Sequence, residues 1–479
     1  MKRLDWSNNR NLTMLTDFYE VTMANGYLEN GLENIIAYFD MSFRRIPDDG
    51  GFVIMAGLKQ MIDSLKDLRF TEEDIEYFRS KNIFTERFLE YLSNFKFTCD
   101  VWAIPEGTPI FPNEPIIKVV GPVIEAQFVE TMILISINHQ SLIATKANRI
   151  VRAADGRAVM EFGSRRAHGG DSAVYGARAA YIAGCSGTSC VVADKELGVP
   201  ALGTMAHSWV QLFDTELEAF IAYAKVFPSA CTLLVDTYDV LKSGVPNAIK
   251  AFSQEVVPRG YRSYAIRIDS GDLAYLSKKA REMLDEAGFH DCKIVASNAL
   301  DEFRIQELLS QGACVDLFGV GERLITARSE PVFNGVYKLV AIKKDGEVIP
   351  KIKLSENEGK INNPGDKELY RLFNNDTKEA IGDVIALKGE TIEDTFYDSN
   401  NSKVTLSNFT AKKLLKPIFE KGTCVYESPH IDSIKSFCKQ QIETLSKDIT
   451  TLNNPQVYPV YLSPDLWKTK NDLVEQKKA

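Results

Sequence analysis

Along the chain the spacing of hydrophobic positions changes near residue 127, and that change divides the sequence. Before it, segments of different kinds follow one another without regular alternation. Residues 16–30 have helical spacing, with Thr16 in a capping position, Asp17 and Glu20 in the first turn, and Gly31 just past the end. The run Ile35-Ile36-Ala37-Tyr38-Phe39-Asp40-Met41-Ser42-Phe43 predicts a strand. Residues 71–93 carry helical spacing with many charges. Residues 99–120, interrupted by Pro105, Gly107, Pro109, Pro112 and Pro115, suit short strands joined by turns. This part reads as α+β.

After a long helix predicted at 127–148, short apolar strands are predicted at 157–162, 188–193, 200–203, 231–236, 264–269, 293–296 and 315–320. Amphipathic stretches at 172–183, 214–226, 242–256, 272–287 and 300–311 separate most of them. Strand and helix alternating at this pace mean parallel strands joined by crossover helices, and this many units predict a closed or nearly closed barrel. The remaining residues are more polar, with breaks at Asn362-Asn363-Pro364-Gly365 and Asn453-Asn454-Pro455. The expected organisation is an α+β domain over 1–130, an α/β barrel carrying the active site over 131–353, and an extension over 354–479 packed on the other parts.

Composition narrows the partners. The 479 residues are 45 % hydrophobic and 25 % charged, ordinary for a soluble globular protein. A net charge of −9, from 65 acidic against 56 basic residues, argues against nucleic-acid or anionic-membrane binding but leaves room for a local basic pocket. None of the eight cysteines forms a C-x-x-C pair, which argues against a zinc ribbon or a thioredoxin-type site and suits a reducing compartment. The opening MKRLDWSNNRNL lacks the apolar run of a signal peptide, and no stretch reaches the roughly 20 apolar residues of a membrane span. A cytoplasmic protein is expected.

In a βα barrel the chemistry gathers at the carboxyl ends of the strands. The first predicted barrel strand is followed by Gly163-Ser164-Arg165-Arg166, the third by Thr204-Met205-Ala206-His207-Ser208, and the fourth ends on Asp236. Arg267-Ile268 leads into Asp269-Ser270-Gly271-Asp272. Ser297-Asn298 and Gly319-Val320-Gly321 close the last two. Each piece has an ordinary reading. Paired arginines commonly make a solvated face, a lone histidine is usually structural, and Asp269-Ser270-Gly271-Asp272 can be a turn and helix cap. Gly319-Val320-Gly321 lacks the full dinucleotide fingerprint. Their convergence on one face is the stronger signal. A barrel aldolase or isomerase should place a catalytic lysine or a carboxylate pair there, and no lysine stands among these residues.

Glu161-Phe162-Gly163-Ser164-Arg165-Arg166-Ala167, Gly203-Thr204-Met205-Ala206-His207-Ser208 and Arg267-Ile268-Asp269-Ser270-Gly271-Asp272, together with Leu15-Thr16-Asp17-Phe18-Tyr19, Gly335-Val336-Tyr337-Lys338-Leu339 and Asn363-Pro364-Gly365, resemble motifs of the nicotinate phosphoribosyltransferases. The resemblance runs from about residue 12 to Leu462-Ser463-Pro464. It implies the type II phosphoribosyltransferase fold, an α+β N-terminal domain with an irregular α/β barrel, in homodimers whose active sites lie at the subunit interface. Nicotinate, phosphoribosyl pyrophosphate and ATP would be the substrates, with Mg²⁺. Tyr19, from the neighbouring subunit, would stack on the pyridine ring. Thr204 and Arg267 would line the nicotinate and ribose region, with further substrate contacts at Phe162, Arg165, Arg166, Ser208, Ser297 and Asn298. His207 matches the histidine that the family phosphorylates from ATP. Asp236 and Asp269 are candidates to orient that imidazole, to bind ribose hydroxyls or to help hold Mg²⁺. Gly319, Gly321 and Glu322 fall where the family holds a sugar phosphate, and some members carry Thr in place of Glu322. A nicotinamide-specific enzyme of the same fold is the nearest alternative.

Overall fold

The computed structural model describes residues 11–355 and 361–478. They form two compact units, one of residues 146–331 and the other of the flanking segments up to 145 and from 332 on.

The first unit is built on six short strands: β1 (Ala158–Glu161), β2 (Gly187–Thr188), β3 (Cys231–Leu234), β4 (Tyr264–Ile268), β5 (Lys293–Ser297) and β6 (Leu317–Val320). They pair in parallel in the order β2-β1-β6-β5-β4-β3, a curled half-barrel. The strand expected at 200–203 contributes only a bridge between Ala201 and Thr188, and among the described residues no ladder joins it to β3. Pro200 brings no N–H to a ladder and Gly203 no side chain to pack, so the barrel stays open on that side. The strand expected at 188–193 stops at Thr188. Its valines belong to the helix Val191–Leu197, where Val191 is 72 % exposed.

Crossover helices follow at Gly170–Ile182, Glu216–Val226, Leu273–Glu286 and Glu302–Ser310. Their starts obey local rules. Thr215 and Glu218 make a reciprocal capping box, and Asp272 and Asp301 accept hydrogen bonds from Tyr275 and Arg304 N–H. The helix expected at 242–256 is regular only over Val245–Ala251, because wider turns at Val240–Gly244 and Phe252–Val256 flank it. Phe252, Tyr264 and Phe289 pack ring on ring beneath the sheet, at centroid distances of 5.1–5.9 Å.

In the second unit the strand Ile36–Phe43 is central. It pairs antiparallel with Ile117–Pro122 on one side and Gly335–Lys344 on the other. Asp100–Ala103 and Lys416–Glu420 extend the same sheet, so residues from both ends of the chain share it. A second sheet pairs Lys367–Asn374 with Ala380–Leu387, where Arg371 meets Asp383 in a fully buried ion pair. The first expected helix runs Phe18–Glu29, but Asp17 holds the capping position without a side-chain bond, and the Thr16 hydroxyl donates to Glu20 instead (2.5 Å). Residues 71–93 form two helices, Glu72–Ser80 and Glu86–Ser93, with Asn82 at φ 55° between them. The helix expected at 127–148 is Val123–Phe128 followed by Glu130–Ala153. No helix among the described residues is long and apolar enough to cross a membrane.

Candidate active site

The carboxyl ends of β1–β4 enclose a cavity of about 420 Å³. Phe162, Ser164 and Arg165 reach it from the turn after β1, and Ser189 from the turn after β2. The irregular segment from Leu202 to His207 forms one wall, and Leu234, Arg267 and Asp269 complete the lining. The geometry follows from strand alternation: in β4, Ile266 and Ile268 are buried on one face while Arg267 emerges on the other.

Arg267 is fixed on three edges. Its Nε donates to Ser297 Oγ (2.8 Å), Nη1 to Thr204 Oγ1 (3.4 Å) and Nη2 to Asp269 Oδ1 (2.9 Å). Ser297 Oγ also donates to Asp269 Oδ1, so strand ends β4 and β5 share one network. The guanidinium carbon lies 5.8 Å from the Phe162 ring centroid. Arg165, by contrast, has no partner among the described residues and offers a free guanidinium to the cavity. Two glycines permit the close packing beneath. A Cβ at Gly319 would lie 2.8 Å from the Phe162 ring, and one at Gly163 would lie 2.7 Å from both the Gly321 carbonyl oxygen and Ile325.

His207 opens the short helix His207–Gln211, and its Nε2 lies 3.1 Å from Asp236 Oδ1. The Asp236 side chain is 1 % exposed, against 42 % for the imidazole. Its other oxygen accepts from Asp269 N–H (3.0 Å) and Ser270 Oγ (2.5 Å). Asp269 has one oxygen engaged by Arg267 and Ser297; the other has no partner among the described residues. No group of three or more His, Cys, Asp or Glu side chains suited to a metal occurs among the described residues.

Six of the residues expected at the site line this cavity: Phe162, Arg165, Thr204, His207, Arg267 and Asp269. Asp236 and Ser297 stand one layer behind, joined to it by hydrogen bonds, and Gly319 backs Phe162. Arg166, Ser208, Asn298, Gly321 and Glu322 do not line it. Glu322 begins the short helix Glu322–Ile325 and pairs with Arg328 at 3.1 Å. Tyr19 lies in the other unit, 44 % exposed on the helix Phe18–Glu29, with Met23 exposed one turn further on. Partial burial first, then the nearby carboxylates Glu130 and Glu20, push its phenol pKa well up. In the same unit the Lys338 ammonium is held below its usual range by burial, against the pull of Glu130 and with smaller repulsion from Lys353 and Arg44. Ser189 is also absent from the expected site. Ending β2 at Thr188 would have placed it at a strand end.

The nicotinate phosphoribosyltransferase family model matches residues 157–377, and the models for that family's N-terminal and C-terminal domains match 14–138 and 366–470. Nicotinate phosphoribosyltransferase of Bacillus subtilis is 43 % identical over 475 residues, covering 98 % of this chain and 96 % of that protein. This chain belongs to the nicotinate phosphoribosyltransferase family. The crystal structure of human nicotinic acid phosphoribosyltransferase superposes with a TM-score of 0.84 at 28 % identity, over 96 % of this chain and 99 % of that one. A nicotinate-nucleotide pyrophosphorylase from Pyrococcus furiosus (TM-score 0.70, 23 % identity, 93 % and 99 % covered) shares the fold. The type II phosphoribosyltransferase fold is thereby established, and with it an enzyme of the nicotinate phosphoribosyltransferase kind. The barrel aldolase or isomerase alternative falls away.

Proposed function

We propose that the chain joins nicotinate to phosphoribosyl pyrophosphate, giving nicotinate mononucleotide and pyrophosphate for NAD salvage, and that hydrolysis of ATP through His207 drives the step. The observation that carries this reading is a single cavity lined by two guanidinium groups, Arg165 and Arg267, and by an imidazole held by a buried carboxylate. In the transfer, the bond from ribose C1 to the pyrophosphate oxygen breaks and the leaving group keeps the electron pair. The pyridine nitrogen lone pair then forms the new C1–N bond. No proton needs to move, so positioning and charge neutralisation carry the rate. Arg165 and Arg267 supply positive charge, and a planar guanidinium can grip the nicotinate carboxylate through two hydrogen bonds. A nicotinamide amide offers no such charge.

Mg²⁺ fits this site as a companion of the pyrophosphate, because a metal of this kind takes one or two carboxylates plus phosphate oxygens. The free oxygen of Asp269 suits that single contact, whereas both oxygens of Asp236 are occupied. When bound, the metal would stabilise negative charge on the leaving pyrophosphate. His207 attacks the γ-phosphorus of ATP, ADP departs, and water later removes the phosphoryl group. The changed charge at His207 then alters affinity for anionic substrate and product in the same cavity.

The enzyme acts as a homodimer in the cytoplasm in this reading. The exposed Tyr19 and Met23, one helical turn apart, would be covered by a second copy, with Tyr19 stacking on the base held in that copy's cavity. Product formation from nicotinate, nicotinamide and quinolinate, each with and without ATP, tests the proposal. Nicotinate should give mononucleotide faster with ATP, and conversion of quinolinate or indifference to ATP would overturn it.

A further inference from the structure

Behind the cavity, Glu161 is fully buried at the end of β1. Its Oε1 accepts the Gly163 N–H, and its Oε2 accepts the Thr188 hydroxyl at 2.6 Å. The Glu161 backbone carbonyl accepts the Ser189 N–H at 2.9 Å. Thr188 Oγ1 in turn accepts the Cys190 N–H at 3.0 Å. Two cavity-lining turns thus hang from one residue. The turn after β1 carries Phe162, Ser164 and Arg165, and the turn after β2 carries Ser189, whose hydroxyl lies 3.3 Å from that of Ser164.

The arrangement is energetically unusual. No cation pairs with Glu161 among the described residues, and burial pushes its carboxyl up from the ordinary range. An uncompensated buried carboxylate costs stability, and an apolar side chain of similar volume would avoid that cost. What an apolar side chain could not do is receive two donors from two different strand ends. Register makes the bridge possible: Glu161 pairs with Thr188 across the β1–β2 ladder, so the acceptor and the hydroxyl stand side by side.

We infer that Glu161 is a positioning residue for the transfer reaction, its buried carboxylate fixing the β1 and β2 turns against each other so that Phe162, Arg165 and Ser189 face the substrate in one geometry. Glu161 touches no substrate itself and acts through these residues. The inference rests on the proposed activity. Its test starts from a wild-type enzyme shown to convert nicotinate, so a silent wild type counts against that activity and not against Glu161.

Glu161→Gln keeps the volume but turns one acceptor into a donor, so either the Gly163 N–H or the Thr188 hydroxyl faces an amide NH₂. Thr188→Val removes the hydroxyl at nearly constant shape, and Thr188→Ser retains it. Steady-state constants for nicotinate and for phosphoribosyl pyrophosphate are measured in each variant, alongside thermal midpoints. Glu161→Gln and Thr188→Val should lower kcat/KM roughly tenfold or more, since misplacing a positioned group by an ångström costs up to about a hundredfold. Thr188→Ser should recover most of what Thr188→Val loses. In the double variant Glu161→Gln/Arg165→Ala, the loss should fall short of the product of the two single losses, because part of what Glu161 does is to hold Arg165, whereas independent effects would multiply. A folded Glu161→Gln enzyme with kcat/KM within about twofold of wild type overturns the inference, as does a multiplicative double variant. Should Glu161→Gln fail to fold, the Thr188 pair decides: equal kcat/KM for Val and Ser overturns it.

Discussion

Asp236 holds His207 by Nε2, at 3.1 Å, which leaves Nδ1 as the ring nitrogen with no partner among the described residues. A carboxylate only accepts hydrogen bonds, and Asp236 already receives two other donors. The proton of the neutral imidazole therefore sits on Nε2 and the lone pair on Nδ1. Phosphorylation at Nδ1 is the expected outcome. His207→Ala should abolish ATP hydrolysis and acid-labile labelling from γ-labelled ATP, while slow ATP-independent nucleotide formation survives. Asp236→Asn, which can present an amide N–H to the ring and invert the tautomer, should slow labelling by roughly a hundredfold or more. Labelling that persists in His207→Ala would put the phosphate on another residue.

Substrate choice follows from the guanidinium groups in the cavity. Nicotinate should exceed nicotinamide in kcat/KM by at least about a hundredfold, because losing a bidentate charged contact costs a few kcal/mol. Arg165→Ala should narrow that gap, since Arg165 has no competing partner, whereas Arg267 is already tied to Ser297, Thr204 and Asp269. Comparable constants for both bases in the wild-type enzyme would contradict the assignment.

The exposed Tyr19 leads to a mixing experiment. Tyr19→Ala and His207→Ala chains, each inactive in ATP-coupled turnover, should regain activity when subunits exchange, because one of the two sites in the heterodimer then has both residues. Exchange demonstrated by mass, with no activity recovered, would mean that Tyr19 serves its own chain or no site at all.

Much of this is legible in the sequence because the signals are local. Strand alternation is read from neighbouring residues, and in Tyr264-Ala265-Ile266-Arg267-Ile268 it puts Arg267 where it stands. The polar residues after β1, β3 and β4 are identified on the same basis. What escapes depends on distance. Whether Ala201 finds a full ladder is decided by the absence of a second neighbour, not by its own sequence. Glu322 is drawn to Arg328, six residues on, and nothing in Gly319-Val320-Gly321 announces that pairing. The entry of Lys416–Glu420 into the sheet of Asp100–Ala103 is likewise a long-range contact, in a stretch whose polarity suggests an appendage.

A pH effect on stability is expected from Glu20. Burial pushes its pKa from 4.5 up to about 7, with hydrogen bonds from Thr131 and Thr16 opposing. Folded-state pKa above the unfolded value means that, between about pH 4.5 and 7, the native chain keeps a proton the unfolded chain has lost. Stability should therefore fall as pH rises through that window and level off above it. Glu125 and Glu130, also raised by burial, act in the same direction, so the comparison must be by difference. Across that window and just beyond it, the thermal midpoint of Glu20→Gln should drop less than that of the wild type. Parallel curves would remove Glu20 from the account.

The pairing of Ile36–Phe43 with Gly335–Lys344 has a consequence for biosynthesis. A ribosome delivers Ile117–Pro122 early, but it must release all of residues 146–331 before the other neighbour of Ile36–Phe43 exists. The half-barrel, contiguous in sequence, can fold while that strand still presents an unpaired edge. Order of synthesis and order of completion are thus inverted: the unit begun first is finished last, and the nascent chain carries an open sheet edge through most of its translation.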